Sequence, residues 1–168
     1  MNSFTMGDDP FDPGPAKAIL TIELVPSSSW GDNLRSRLSK SDWDKLRKAA
    51  YKVAGYRCEI CNDVGSNQGV DWPVECHEIW SYDDPTHVQS LVSLISLCPR
   101  CHSVIHFGLT TLRGRSKEAL VHMARVNGWT IQRCETHVKD AFAKHAARSK
   151  HAWTVDTSIL DMWGVRVK

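Results

Sequence analysis

The segment that decides the fold is Cys98-Pro-Arg-Cys-His-Ser-Val-Ile-His-Phe-Gly108, in a chain of 168 residues. It opens with a Cys-x-x-Cys turn, and Cys58-Glu-Ile-Cys61 makes the same turn upstream. Such a turn folds tightly enough for two thiolates to reach one ion, and zinc accepts four thiolates in a closed tetrahedral site. A redox pair is the alternative for a single turn of this kind. The two matched pairs predict a structural zinc ion bound by Cys58, Cys61, Cys98 and Cys101.

Two histidines follow the second cysteine pair on a short predicted helix. Pro99 favours the first turn of that helix, and Gly108 favours its end. His102 and His106 are four residues apart, so both imidazoles lie on one helix face and can reach the same divalent cation. His77 lies on a predicted strand upstream and offers a third imidazole. The three histidines therefore predict a second metal site.

Residue periodicity places this helix after two strands. Residues 74–80 have strand composition, residues 81–85 are a polar turn, and residues 88–97 form a second apolar segment of strand length. Weak alternation at residues 18–25 predicts a further short strand. The chain is thus expected to mix helices with a small sheet.

The flanks of this unit carry helix signals. Ser41 predicts the start of one helix, which Gly55 ends, and Ser116 caps another, which stops at Gly128. A further amphipathic helix covers residues 138–146, and residues 153–167 are a short apolar segment. We divide the chain into a disordered leader at 1–16, an N-terminal strand and helix at 17–57, the cysteine-bounded core at 58–108 and a C-terminal helical extension at 109–168.

The charge distribution favours a polyanionic partner. The total formal charge is only +2, but residues 35–57 sum to +6 and residues 100–150 to +7. Neutralised phosphates are the main sequence-independent source of nucleic-acid affinity. Solvated helix faces are the alternative explanation for either block. No apolar run is long enough to span a membrane and the first residues are acidic, so we expect a cytoplasmic protein with no membrane partner.

Residues 58–108 resemble the ββα-metal core of the HNH endonuclease family. The likeness consists of a Cys-x-x-Cys pair, a strand that carries a histidine, and a second strand that leads into the cysteine and histidine segment. The flanks are similar to those of bacterial HNH-type proteins at Val25-Pro26, Trp30, Asn33, Arg35, residues 77–80, residues 82–84 and residues 127–129. The resemblance implies an α+β fold in which the ββα-metal core is stapled by the four-cysteine zinc site and flanked by helices.

The resemblance also implies an activity. A divalent cation (Mg²⁺, Mn²⁺, Ni²⁺ or Zn²⁺) would assist hydrolysis of phosphodiester bonds in double-stranded DNA and leave 5′-phosphate and 3′-hydroxyl ends. The ion would polarise the phosphate, and a side chain would take a proton from the attacking water. The zinc ion would be structural. His102 and His106 would bind the catalytic cation.

Two registers are open on the first strand. If His77 is the general base, Cys76 takes the ligand position; we favour this register because histidine has the better-matched pKa. If His77 is a ligand, Glu78 becomes the base, and the site is similar to the three-histidine variant of colicin-type members. The family also carries an asparagine where this chain has Ser93, and serine cannot brace the hairpin as an amide does. Either another group braces it or the strand register slips there.

Two other classes of function remain. A nucleic-acid-binding zinc module without catalysis is favoured by Cys76 and Ser93, which stand where the family has acidic and amide residues. A structural or interaction domain is the third possibility, in which the seven tryptophans contact partners. Large aromatic side chains are more often part of the core.

Overall fold

The computed structural model describes residues 19–168, and the leader predicted at residues 1–16 lies outside this range. The described chain mixes seven α-helices with a three-stranded sheet of order β1-β2-β3. None of these helices is both long and apolar enough to cross a membrane. The strands are β1 (Glu75–Asp83), β2 (Val88–Leu97) and β3 (Thr154–Asp156), and the helices are α1 (Leu34–Arg37), α2 (Lys40–Val53), α3 (Pro99–Ile105), α4 (Phe107–Leu112), α5 (Ser116–Asn127), α6 (Ile131–Arg148) and α7 (Ile159–Met162).

The two central strands form an antiparallel hairpin that leads directly into α3. The predicted bounds of β2 are confirmed, whereas β1 continues to Asp83, through most of the predicted turn at 81–85. The register shifts between Ile79 and Trp80, which face Ser93 and Leu91, so Val92 is the extra residue of a β-bulge. The pairing of the two strands is therefore irregular next to Ser93.

The N-terminal segment does not form the strand predicted at 18–25, as far as its residues are described. It runs extended along α5 and α6, and side chains take the place of a neighbouring strand. The Asn127 amide exchanges hydrogen bonds with the Leu20 backbone at 2.9 and 2.8 Å, and the Ile22 N–H donates to His137 Nε2 at 3.0 Å. Among the described residues of this segment, only Glu23 makes a backbone hydrogen bond to α3, from its N–H to the Ile105 carbonyl at 3.0 Å.

The helix boundaries correct two expectations. Ser39 rather than Ser41 caps α2, because its hydroxyl accepts the Asp42 N–H at 3.0 Å. Gly108 does not end helical structure: α3 stops at Ile105, His106 leaves the helical region with ψ 45°, and α4 begins at once. The predicted helices that became α5 and α6 are present, with Gly128 in the left-handed conformation after α5, and α6 begins earlier than expected, at Ile131. A third expectation is also corrected: Ser116 does not cap α5, because it is the first helical residue and the N-cap, Arg115, makes no side-chain cap bond.

The sheet separates two hydrophobic cores. The first core joins the N-terminal segment, α3, α5 and three of the predicted zinc ligands, and Leu97, Val104 and Met123 are fully buried in it. The three cysteines are Cys58, Cys98 and Cys101. The second core lies among α1, α2, α7 and the other sheet face, around Leu34 and Leu160. Alternate residues of the hairpin therefore face different cores.

Candidate metal centres

The four predicted zinc ligands converge in the first core. The Sγ atoms of Cys58, Cys61, Cys98 and Cys101 all lie within 4.8 Å of one another, and those of Cys61 and Cys98 are 3.5 Å apart. Thiolates bound tetrahedrally at 2.3 Å would be about 3.8 Å apart, so the cluster could hold one zinc ion. Cys98 also caps α3, since its sulfur accepts the Cys101 N–H. We call these four residues the zinc clamp.

His122 on α5 contacts the zinc clamp and has no signal in the sequence. Its Nε2 lies 3.2 Å from Cys101 Sγ, and its Nδ1 lies 3.2 Å from the Arg125 guanidinium. Arginine can only donate, so Nδ1 accepts and a neutral His122 carries its proton on Nε2. The imidazole can therefore donate to the Cys101 sulfur, as outer partners of metal ligands commonly do.

Replacing His122 with leucine is expected to speed zinc loss, because the thiolate of Cys101 loses its donor while the buried volume stays filled. We expect release to a colorimetric chelator to accelerate by roughly tenfold. His137→Leu removes a histidine that holds the N-terminal segment and serves as the control. Equal release rates for the two variants would show that His122 only fills space.

A second cluster gathers the three predicted histidines against the hairpin. One ring nitrogen from each of His77, His102 and His106 lies within 4.8 Å of the other two, so the group could hold a metal ion. The ring centroids are 4.6 to 5.3 Å apart and the rings stand edge to face. We call these residues the histidine cluster.

The electrostatics of the histidine cluster suit ligation by neutral imidazoles. His102 Nδ1 hydrogen-bonds the Glu75 carboxylate, which leaves Nε2 for a metal ion. Burial, with the nearby charge of His102, lowers the pKa of His77 to about 3 and that of His106 to about 3. Both rings are therefore neutral near pH 7. The base role favoured for His77 relied on an unperturbed pKa, which does not apply at this buried position.

The structure does not bring Cys76 or Glu78 to the histidine cluster. His77 pairs with Ile95 of the first core, whereas its neighbour Glu78 pairs with Leu94 of the second core. Glu78 accepts the Leu34 N–H at 2.8 Å, and Cys76 packs against the second core. Burial raises the pKa of Glu78 to about 7, but this carboxyl lies on the opposite face of β1 from His77. This alternation places both side chains on the face of β1 opposite His77, which argues against the ligand role predicted for Cys76 and the base role predicted for Glu78.

Glu23 is the carboxylate that sequence reasoning missed. Its Oε2 lies 3.3 Å from His77 Nε2, although the two residues are 54 positions apart. Burial raises the pKa of Glu23 to about 7, against a hydrogen bond from the Trp80 backbone. Its other oxygen, Oε1, is buried and has no hydrogen-bond partner among the described residues.

A basic groove of about 950 Å³ is lined by residues of α2, by residues 72–76 at the start of β1 and by His102, with Asp44 and Glu75 as its carboxylates. Its cations are Arg35, Lys40, Arg47 and Lys168, and it is also lined by Trp43, Tyr51 and Trp72. The Arg47 guanidinium is paired with Asp44 at 2.7 Å. The side chains of Arg35 and Lys40 have no ion-pair partner in residues 19–168, which leaves them available to a ligand.

Comparison with models of protein families, with curated proteins and with solved structures found no match to this chain. The geometry of the two clusters and of the basic groove is therefore the basis for any functional conclusion.

Proposed function

We propose that this protein is a metal-dependent endonuclease of the HNH type that hydrolyses phosphodiester bonds in DNA. The single observation that carries the proposal is the histidine cluster: three imidazoles from β1 and α3 converge beside a second, separate four-cysteine cluster. One cluster then serves as a staple and the other as a reaction centre, as the HNH resemblance implies.

His77, His102 and His106 would hold the catalytic cation. When bound, the ion would polarise the scissile phosphate and stabilise the departing 3′ oxygen. Glu75 orients His102, and burial keeps His77 and His106 unprotonated. Imidazole ligands suit Zn²⁺ and Ni²⁺ better than Mg²⁺. Activity is therefore expected to be higher with the former ions than with Mg²⁺.

The zinc clamp would hold the hairpin and α3, which carry the three histidines, in place. Cys98 and Cys101 flank the first turn of α3, and His102 follows the last ligand directly. Reacting groups must be held within a fraction of an ångström, and a closed metal site gives a small domain that rigidity. The zinc ion therefore takes no part in the reaction.

The test is cleavage of supercoiled plasmid by protein whose clamp holds zinc and whose second site is supplied with one metal at a time. We expect nicking that requires the added ion, with ends that ligase can reseal. Phosphatase treatment should block resealing because it removes the 5′-phosphate. Absence of nicking with Mg²⁺, Mn²⁺, Ni²⁺ and Zn²⁺ alike would refute the nuclease.

A zinc-stapled nucleic-acid-binding module without catalysis is the second candidate, and the basic groove favours it. Such a module would bind DNA with a steep salt dependence and never cut it. The plasmid assay and a binding assay under the same conditions separate the two candidates.

The double variant Arg35→Ala, Lys40→Ala is expected to weaken DNA binding, because both cations line the groove that leads to His102. Each lost phosphate contact should reduce the slope of log K against log salt by about one. The measurement is fluorescence anisotropy across a salt series. Lys117→Ala, Lys139→Ala removes the same charge from exposed positions outside the groove and should leave affinity nearly unchanged. If both double variants lost the same DNA affinity, net charge and not the groove would explain the binding.

A further inference from the structure

We propose that Glu23 is a fourth protein ligand of the metal ion held by His77, His102 and His106. The carboxylate comes from the extended N-terminal segment, outside the hairpin and α3, and lies against His77. It is not among the ligand atoms that lie within 4.8 Å of one another, so a bound ion would have to draw it toward His102 and His106 to make a three-histidine, one-carboxylate site. The proposal rests on the metal site of the proposed function, but it makes a separate claim about one residue and has its own measurement.

The distance between Glu23 and His77 fits two ligands of one ion. Oε2 and Nε2 are 3.3 Å apart. A hydrogen bond between an imidazole and a carboxylate is usually shorter, about 2.7 to 2.9 Å when charge-assisted. Two ligand atoms bound at 2.0 to 2.2 Å, with angles between square and tetrahedral, lie about 2.8 to 3.6 Å apart. The observed separation falls within that interval.

The carboxylate of Glu23 has an unused bonding capacity inside the protein. Oε1 is buried without a hydrogen-bond partner in the described chain, and such orphaned oxygens are uncommon because burial removes their water. A cation beside the carboxylate would compensate for this loss. Imidazole ligands bring no negative charge, so Glu23 would also supply the charge that balances a divalent ion.

Both ends of this residue are fixed. The Glu23 N–H donates to the Ile105 carbonyl at 3.0 Å, one residue before the ligand His106. The neighbouring Ile22 N–H donates to His137 on α6 at 3.0 Å. At its other end, the carboxylate lies beside the hairpin, with Oε2 3.3 Å from His77 Nε2. The segment therefore holds its carboxylate over His77 before any ion arrives, as a preorganised ligand requires.

The test uses Co²⁺, whose visible absorption reports the number and type of its ligands. Protein with zinc in the clamp is titrated with Co²⁺ alone, as wild type and as Glu23→Gln, Glu23→Asp and Glu78→Gln. Glutamine keeps the shape of Glu23 and removes its charge. Aspartate keeps the charge, but its side chain is one methylene shorter, so the carboxylate lies farther from the ion. Glu78→Gln neutralises another buried carboxyl of raised pKa, on the opposite face of β1.

We expect wild type to bind one Co²⁺ with visible bands, and Glu23→Gln and Glu23→Asp to bind at least about tenfold more weakly with altered bands. Glu78→Gln should match wild type within about twofold, and zinc content should stay at one per chain in every variant. Unchanged affinity and bands in Glu23→Gln would overturn the proposal, because Glu23 would then only orient His77. Failure of wild type to bind Co²⁺ would overturn it as well.

The plasmid assay run on the same samples separates this inference from the proposed function. If Glu23→Gln alters Co²⁺ binding but wild type never nicks DNA, the ligand assignment stands and the nuclease fails. If wild type nicks DNA and Glu23→Gln leaves Co²⁺ binding unchanged, the nuclease stands and the ligand assignment fails.

Discussion

Replacing His106 with alanine is expected to abolish DNA cleavage while the zinc clamp stays loaded. His106 contributes one of three converging ring nitrogens, and it stands where α3 ends, so its loss disturbs little helical structure. A bound cation supplies several kcal/mol of transition-state stabilisation, and each 1.36 kcal/mol is tenfold in rate. Nicking should therefore fall by at least about 10³-fold. His77 is a poorer choice for this test because it is only 7% exposed and its removal would leave a cavity.

Metal analysis distinguishes loss of the site from loss of the fold. Wild type should carry two metals per chain after incubation with Ni²⁺ or Zn²⁺, and His106→Ala should carry one. His145→Ala is the matched control, because His145 is a partly buried histidine in the last turn of α6, outside both clusters. Two metals per chain together with lost cleavage would mean that His106 is not a ligand. Retained cleavage would contradict the reaction centre.

Local spacing was sufficient to predict the zinc clamp and two-thirds of the histidine cluster. A Cys-x-x-Cys turn and an i, i+4 pair on a helix each set their geometry within one turn of chain, so tertiary packing has little freedom to change them. The predicted second metal site also grouped His77 with His102 and His106, and the structure brings the three together. Its role was left between two registers because the choice depends on which core each strand residue faces.

The strand alternation that bears on this choice could not be read from Cys76, His77 and Glu78 alone. All three side chains can serve as metal ligands or bases, and a strand sends neighbours to opposite faces. Only the second core, built by α1, α2 and α7, shows which face is closed to a reaction centre. Those helices are distant in sequence from β1.

Glu23 and His122 could not have been predicted, because neither lies in a local pattern. Glu23 reaches His77 across 54 positions, and His122 reaches Cys101 across 21. The N-terminal segment was misassigned for a related reason. Its alternation is suited to a strand, but Asn127 and His137 provide the hydrogen bonds that a neighbouring strand would have made. Side-chain partners of this kind leave no periodic signal.

Cys98→Ser is expected to unfold the core and remove both metal sites together. Cys98 is fully buried, belongs to the zinc clamp in the first core and caps α3, which carries His102 and positions His106 at its end. The binding free energy of a structural zinc is folding free energy, about 10 to 16 kcal/mol in small zinc domains, and comparable with the 5 to 15 kcal/mol that stabilises a typical domain. Since 1 kcal/mol shifts the melting temperature by about 2 to 4 °C at this size, Tm should fall by at least about 10 °C.

Cys134→Ser isolates the contribution of the metal, because Cys134 is equally buried in the same core but lies outside the zinc clamp. Burying its hydroxyl should cost about 1 to 3 kcal/mol without loss of zinc. Cys98→Ser should instead lose zinc and Co²⁺ binding in parallel, since α3 cannot present its histidines once its N-terminus is released. Suppose instead that Cys98→Ser kept its zinc, had the same Tm as Cys134→Ser and still bound Co²⁺. The two centres would then be independent, and the zinc clamp would have no part in building the histidine cluster.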